Sequence, residues 1–194
     1  VITIAVPQFI SLLIMRNLLS DAGPVNAFLE KIGLISAANP LPFLSDPLWA
    51  KFSIIIVNMW VGIPVTMLVA SGIIMNLPQI EAAEIDGANK FQIFKSITFP
   101  QILLVMMPNL IQQFIGNINN FNVIYLLTGG GPTNSNFYQA GSTDLLVTWL
   151  YNLTVTAADY NLASVIGIFI FVLSAVFSLL AYTRTSSYKE GVAK

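Results

Sequence analysis

The chain has 194 residues, 56% hydrophobic and 9% charged, with a formal net charge of −1 and a mean hydropathy of +0.77. Soluble domains carry about 25% charged residues, so this composition belongs in a bilayer, and the near-neutral charge gives no case for nucleic acid as a partner. With no cysteine and no histidine, disulfides and the usual zinc sites are excluded, and no metal or cofactor is expected.

Residues 1–19 form an apolar run long enough to cross, interrupted by Pro7 and Gln8 and closed by Arg16-Asn17 and the turn Asp21-Ala22-Gly23-Pro24. The run starts at Val1 without a basic segment or a small-residue cleavage site. It reads as the inside of a longer protein rather than as a signal peptide. Residues 25–34 have helical spacing, with Val25, Phe28, Leu29 and Ile32 on one face and Glu30 and Lys31 opposite, which predicts a short surface helix. Residues 39–47 are a proline-rich loop, with Ser45 a candidate cap for the next helix and Asp46-Pro47 suited to its first turn.

Residues 52–75 contain no charge and exceed the roughly 20 residues needed to span. Gly62 and Pro64 lie mid-span, where a kink is expected. Residues 78–100 are the most charged stretch between two apolar runs. Pro78 opens a helix with Glu81 and Glu84 in its early turns, where the helix dipole favours negative charge. Gly87 permits a reversal, and a second short helix carrying Phe91, Phe94 and Lys95 is expected to end at Pro100. An exposed helix–Gly–helix bearing Ala82, Ala83, Phe91 and Phe94 suits a groove in another protein; the plainer alternative is a helical loop without a partner.

Residues 102–127 are the next uncharged span, and Thr128-Gly129-Gly130-Gly131-Pro132-Thr133 breaks it. This glycine run lacks the Lys-Ser/Thr of a P-loop, so a turn is expected there and not a nucleotide site. Residues 144–153, with Trp149, are too short to cross and are expected at the interface or folded back into it. Residues 162–182 are the last span, before a polar tail. The expected fold is all-α and integral to the membrane, with four crossings. Lys90, Lys95, Arg184, Lys189 and Lys194 fall on one side and Arg16, Lys31 and Lys51 on the other, which predicts residues 78–100 and the C-terminus in the cytoplasm.

Amides are concentrated in the third span. At 100° per residue Asn109, Gln113, Gly116, Asn117 and Asn120 share one stripe, while Asn58 and Gly62 share a face of the second span and Gln8 is the polar group of the first. Amides are neutral yet supply both donors and acceptors, as polyhydroxyl ligands require. A single such residue is more often glue between membrane helices; a stripe favours a water-lined path. No span carries a charged residue near its middle, which disfavours proton-coupled transport, and no nucleophile–base or metal constellation points to an intramembrane enzyme. A passive channel or a purely structural membrane subunit is the remaining alternative.

The spacing Glu81-Ala82-Ala83, three residues, Gly87, nine residues, Ile97, one residue, then Phe99-Pro100 resembles the signature loop of inner-membrane permease subunits of ABC importers, with Phe99 where leucine is usual. The phrases Ile56-Val57-Asn58-Met59-Trp60-Val61-Gly62, Asn119-Asn120-Phe121, Leu127-Thr128-Gly129-Gly130-Gly131-Pro132 and Thr143-Asp144-Leu145-Leu146-Val147 are similar to the carbohydrate branch, and within it to MalF-type subunits of maltose/maltodextrin importers. The resemblance implies a bacterial inner-membrane transport subunit. Its implied partners are cytoplasmic ATPase subunits, which would hydrolyse the ATP, a second permease subunit, an extracytoplasmic solute-binding protein, membrane lipid and a sugar. It implies that Glu81, Ala82, Ala83, Asp86, Gly87, Ala88 and Pro100 belong to the ATPase-coupling loop. It also implies sugar contacts at Asn58, Gly62, Asn117 and Asn120, and at Gln8 and Gln113, where the family subunit has serine. At Ile4 and Val65 the family subunit has tyrosine.

Overall fold

The computed structural model describes residues 5–183. Among them all regular structure is helical, and no strand forms beyond the isolated bridges Ser36–Asn39 and Thr133–Gly141. The helices are α1 (Gln8–Leu18), α2 (Pro24–Lys31), α3 (Pro47–Ile74), α4 (Pro78–Ile85), α5 (Lys90–Ile93), a π turn (Phe94–Thr98), α6 (Phe99–Ile118), α7 (Phe121–Leu127), α8 (Leu146–Val155) and α9 (Tyr160–Thr183). Ile4, Arg184, Lys189 and Lys194 lie outside the described residues.

Three of these helical stretches are long and apolar enough to cross a membrane: Pro47–Ile74, Lys90–Ile118 and Tyr160–Thr183. The expected crossing at 1–19 falls partly outside the described residues; within them it is the 11-residue α1, which starts directly after Pro7. The expected uninterrupted span at 102–127 is corrected. Helix α6 stops at Ile118, and α7 begins anew after Asn120, whose side chain accepts the Val123 N–H at 3.3 Å. A side chain that offers the backbone a cap competes with helix continuation. Pro100 does not end a helix either: it is the second residue of α6. The Phe99 N–H bonds to Phe94 O, five residues back, and this wider turn accommodates a proline that has no N–H and whose ring crowds the carbonyl four residues earlier.

Two expectations outside the spans also change. Helix α2 ends at Lys31 rather than Leu34, because Gly33 takes φ +76° and the N–H groups of Gly33 and Leu34 close back on Glu30 O and Leu29 O. Its buried residue is Asn26, which bonds to Ser20 O and to both backbone groups of Leu41, whereas Phe28 and Ile32 are exposed. Ser45 does not cap α3; its hydroxyl donates to Asp21, and Asp46 Oδ1 accepts the N–H groups of Leu48 and Trp49 at 2.9 and 3.1 Å.

The described chain divides into two compact units, one containing residues up to Gly62 with Ile118–Leu173, the other Ile63–Asn117 with residues from Ser174. In the first, Leu12 of α1, Ile54 and Val57 of α3, and Val123, Ile124 and Leu127 of α7 form a buried aliphatic core. The spacings 54/57 and 123/124/127 place each set on one helical face. A smaller cluster packs Leu153 of α8 on Ala163 and Ile166 of α9. In the second unit the aromatic rings of Phe114 and Phe177 meet at 5.9 Å. Elsewhere the long helices expose Ile, Leu, Val and Phe, a surface suited to lipid or to apolar neighbours.

Candidate functional site

Each of the two units carries some of the amides. In the first, the Asn120 side-chain amide donates to Asn58 Oδ1 at 2.9 Å while its own Oδ1 caps α7. Both residues are half-buried. One asparagine thus starts a helix and ties it to α3. Gln8 is exposed at the start of α1, and its Oε1 accepts the Asn122 amide at 3.4 Å. Three predicted site residues therefore meet at the first turn of α7, Asn58 and Asn120 directly and Gln8 through Asn122. Gly62 follows one turn after Asn58; it is exposed, and a Cβ there would meet nothing within 4 Å. Its missing side chain answers no packing need among the described residues.

The second unit holds Gln113 and Asn117, both on α6. Gln113 is half-buried, and its amide lies 3.3 Å from Thr66 Oγ1 and 3.4 Å from Asn109 Oδ1. Thr66 belongs to α3, so Gln113 ties two helices together. Asn117 lies one turn further along and is exposed. The predicted stripe holds for Asn109, Gln113, Gly116 and Asn117, which share α6. Asn120 leaves it, because α6 has already ended.

Residues 78–100, also in the second unit, form a stiff elbow. The Ala88 N–H bonds to Ala83 O at 3.0 Å and the Gly87 N–H to Glu84 O at 3.1 Å, around Gly87 at φ +80°. This paired closure needs a left-handed residue just past the helix end, which glycine adopts without strain. Two residues later Asn89 and Gln92 exchange side-chain bonds with each other's backbone N–H, both at 2.9 Å, a capping box that starts α5 at once. Helix α4 buries no residue, and Ile85 and Phe91 are 87% and 71% exposed. Glu81, Ala82, Asp86 and Pro100 are exposed and Ala83 and Ala88 half-buried. The elbow is held by its own hydrogen bonds; Ile93 is buried, while Ile85, Phe91 and Phe94 remain uncovered.

Two arrangements escaped the sequence reading. Phe121 and Tyr125 of α7 stack at 4.9 Å, and Tyr151 of α8 meets them edge-on at 5.2 and 5.0 Å, with the two phenol oxygens 3.4 Å apart. The hydrogen bond to Tyr125 holds the Tyr151 phenol above its ordinary value. Their i, i+4 spacing on α7 was the available cue, but nothing local points to Tyr151. The second arrangement is a lock on the glycine run. Asp144 Oδ2 accepts the Gly141 N–H at 2.8 Å and the Asn152 amide at 3.3 Å, and the carboxylate lies where a Cβ on Gly130 would stand.

The profile described as "Binding-protein-dependent transport system inner membrane component" matches residues 1–185. The chain belongs to this family. Its members are transport components of the inner membrane rather than enzymes. Over 189 residues it is 38% identical to the galactooligosaccharides transport system permease protein GanP of Bacillus subtilis, covering 96% of this chain and 44% of GanP. It is 38% identical to the maltodextrin transport system permease protein MalC of Streptococcus pneumoniae, covering 95% of this chain and 44% of MalC. It is 42% identical to the maltose/maltodextrin transport system permease protein MalF of Vibrio parahaemolyticus, covering 91% of this chain and 34% of MalF. The chain thus spans less than half the length of these relatives. Among solved structures, a bacterial ABC transporter involved in the import of the acidic polysaccharide alginate matches with a TM-score of 0.78 at 28% identity, covering 93% of this chain and 61% of that one. The same transporter type has been solved in complex with an alginate pentasaccharide-bound periplasmic protein.

Proposed function

We infer that this chain is part of a permease subunit that carries neutral oligosaccharides of the maltodextrin type through the inner membrane, driven by ATP hydrolysis in partner subunits. The observation that carries the reading is the elbow at 78–100, rigid by its own hydrogen bonds yet exposing Ile85 and Phe91. A surface of this kind transmits force to a docked partner. On this reading the elbow and the C-terminus are cytoplasmic, and Glu81, Ala82, Ala83, Asp86, Gly87, Ala88 and Pro100 form the surface offered to the ATPase subunits. A fourth crossing within residues 1–19, a second permease subunit and an extracytoplasmic solute-binding protein complete the assembly. The relatives' names support the sugar class, and the amides support a neutral sugar over an acidic one. Asn58, Asn120 and Gln8 supply amide donors and acceptors, and none of them is a cation that would meet a carboxylated chain. For Gln113 the bond to Thr66 favours helix glue over sugar contact.

The test is reconstitution of the full-length subunit with its partner permease, ATPase and binding protein in proteoliposomes. Binding protein loaded with maltotetraose should stimulate ATP hydrolysis and drive uptake. Uptake without ATP, or hydrolysis indifferent to the loaded binding protein, would overturn the reading.

A further inference from the structure

We propose that Phe121, Tyr125 and Tyr151 form a subsite for one sugar ring of the oligosaccharide, beside the Asn58–Asn120 pair and on the side of the 128–145 loop. This rests on the sugar-permease reading above. The three rings meet at 4.9–5.2 Å, and Tyr125 is 37% exposed while Phe121 and Tyr151 are half-buried. They do not build the core: Val123, Ile124 and Leu127, on other positions of the same helix, are the residues buried against α1 and α3. A trio with two phenol oxygens 3.4 Å apart is poorly suited to lipid tails. It suits a pyranose, whose C–H face lies flat on an aromatic ring while its hydroxyls need donors and acceptors at the rim. Those rim groups are present, as the two phenols at one edge and Asn122, bonded to Gln8, on the adjoining position of α7. Placement agrees. At a rise of about 1.5 Å per residue, Tyr125 lies roughly 7 Å along α7 from Asn120, the scale of the next ring of the same chain. A ring held at this subsite would keep a longer oligosaccharide aligned with the amide pair, whereas a disaccharide would reach the pair without it. The competing account is that the two tyrosines anchor α7 and α8 at the membrane interface.

Sugar length separates the accounts. In the complete assembly, uptake of maltose and of maltotetraose is measured per assembled complex for wild type, Tyr125→Leu and Tyr151→Leu. The subsite predicts a loss of about fivefold for maltotetraose and less than about twofold for maltose. Tyr125→Phe and Tyr151→Phe keep the rings and should show a smaller loss with the same length dependence; they decide the matter if the leucine variants do not assemble. Equal losses for both sugars, or fewer complexes with normal uptake per complex, would overturn the subsite and leave the interface anchor. A wild-type assembly that carries neither sugar sinks the permease reading itself, which distinguishes the two failures.

Discussion

The Asn120 amide donates to Asn58 at 2.9 Å and in the same conformation caps α7 through the Val123 N–H. Substitutions can separate these duties. Serine caps as well as asparagine but is too short to reach Asn58, whereas leucine does neither. Asn120→Ser should therefore keep the assembly stable, while Asn120→Leu should lose about 1 kcal/mol from the missing cap and roughly 0.6 kcal/mol from the missing interhelical bond. If the pair also contacts sugar, both variants should lower uptake per assembled complex severalfold. Normal uptake in Asn120→Ser would restrict the pair to structure.

Gly87 makes a different prediction, because a Cβ there meets no atom within 4 Å. Only its backbone conformation, φ +80°, resists substitution. Gly87→Val should cost on the order of 1–2 kcal/mol locally and open the paired closure onto Ala83 and Glu84. Membrane insertion and binding-protein affinity should persist while sugar-stimulated ATP hydrolysis falls. Gly87→Asn, which tolerates positive φ, should retain most of the coupling. Equal coupling in Gly87→Val and wild type would show that the elbow's angle does not matter to the partner.

The glycine run offers a double-mutant test. Gly130 has φ +86°, and a Cβ on it would collide with the Asp144 carboxylate, whose Oδ2 holds the Gly141 N–H. Gly130→Ala should destabilise by about 3 kcal/mol, combining backbone strain with loss of a charge-assisted bond. Asp144→Ala alone loses the bond but removes the obstacle. The pair of changes together should therefore cost clearly less than their sum. Thermal unfolding of the detergent-solubilised full-length subunit measures all four species, and strict additivity would show that the two residues do not compete for the same space.

Helix class was legible because residues 52–75 and 162–182 are too long, too apolar and too free of charge to be anything but membrane helices; α3 takes in all of the first but Met75, and α9 contains the second. The break before Asn120 was hidden by the same uncharged composition; what decides it is a side-chain acceptor, a local competition that hydropathy does not register. The same blindness affected α2, where periodicity put Phe28 inside while the structure buries Asn26, whose three hydrogen bonds to backbone 6 and 15 residues away satisfy the loop. The amides of the site were visible as residue types at helical spacing. Their pairing, Asn120 with Asn58 and Gln113 with Thr66, depends on which helices are neighbours, and that is tertiary information.

Gln113 and Asn117 lie one turn apart on α6 and should behave oppositely. Gln113 is engaged with Thr66 on α3 and Asn109 on its own helix. Asn117 is exposed. Leucine at either position keeps the helix apolar and insertable. Gln113→Leu removes an interhelical bond worth roughly 0.6 kcal/mol and leaves Thr66 to re-pair with its own backbone, so the first effect should be a lower yield of assembled complex with near-normal uptake per complex. Thr66→Val should reproduce that effect, and Thr66→Val with Gln113→Leu should add little to either alone. Asn117→Leu should leave basal ATP hydrolysis unchanged but reduce uptake per assembled complex severalfold, since a sugar hydroxyl that loses its amide partner forfeits about 0.5–1.5 kcal/mol. Uptake normalised to assembled complex reads both positions in one experiment. Normal uptake in Asn117→Leu would remove it from the sugar path, and depressed uptake per complex in Gln113→Leu with Thr66→Val normal would return Gln113 to it.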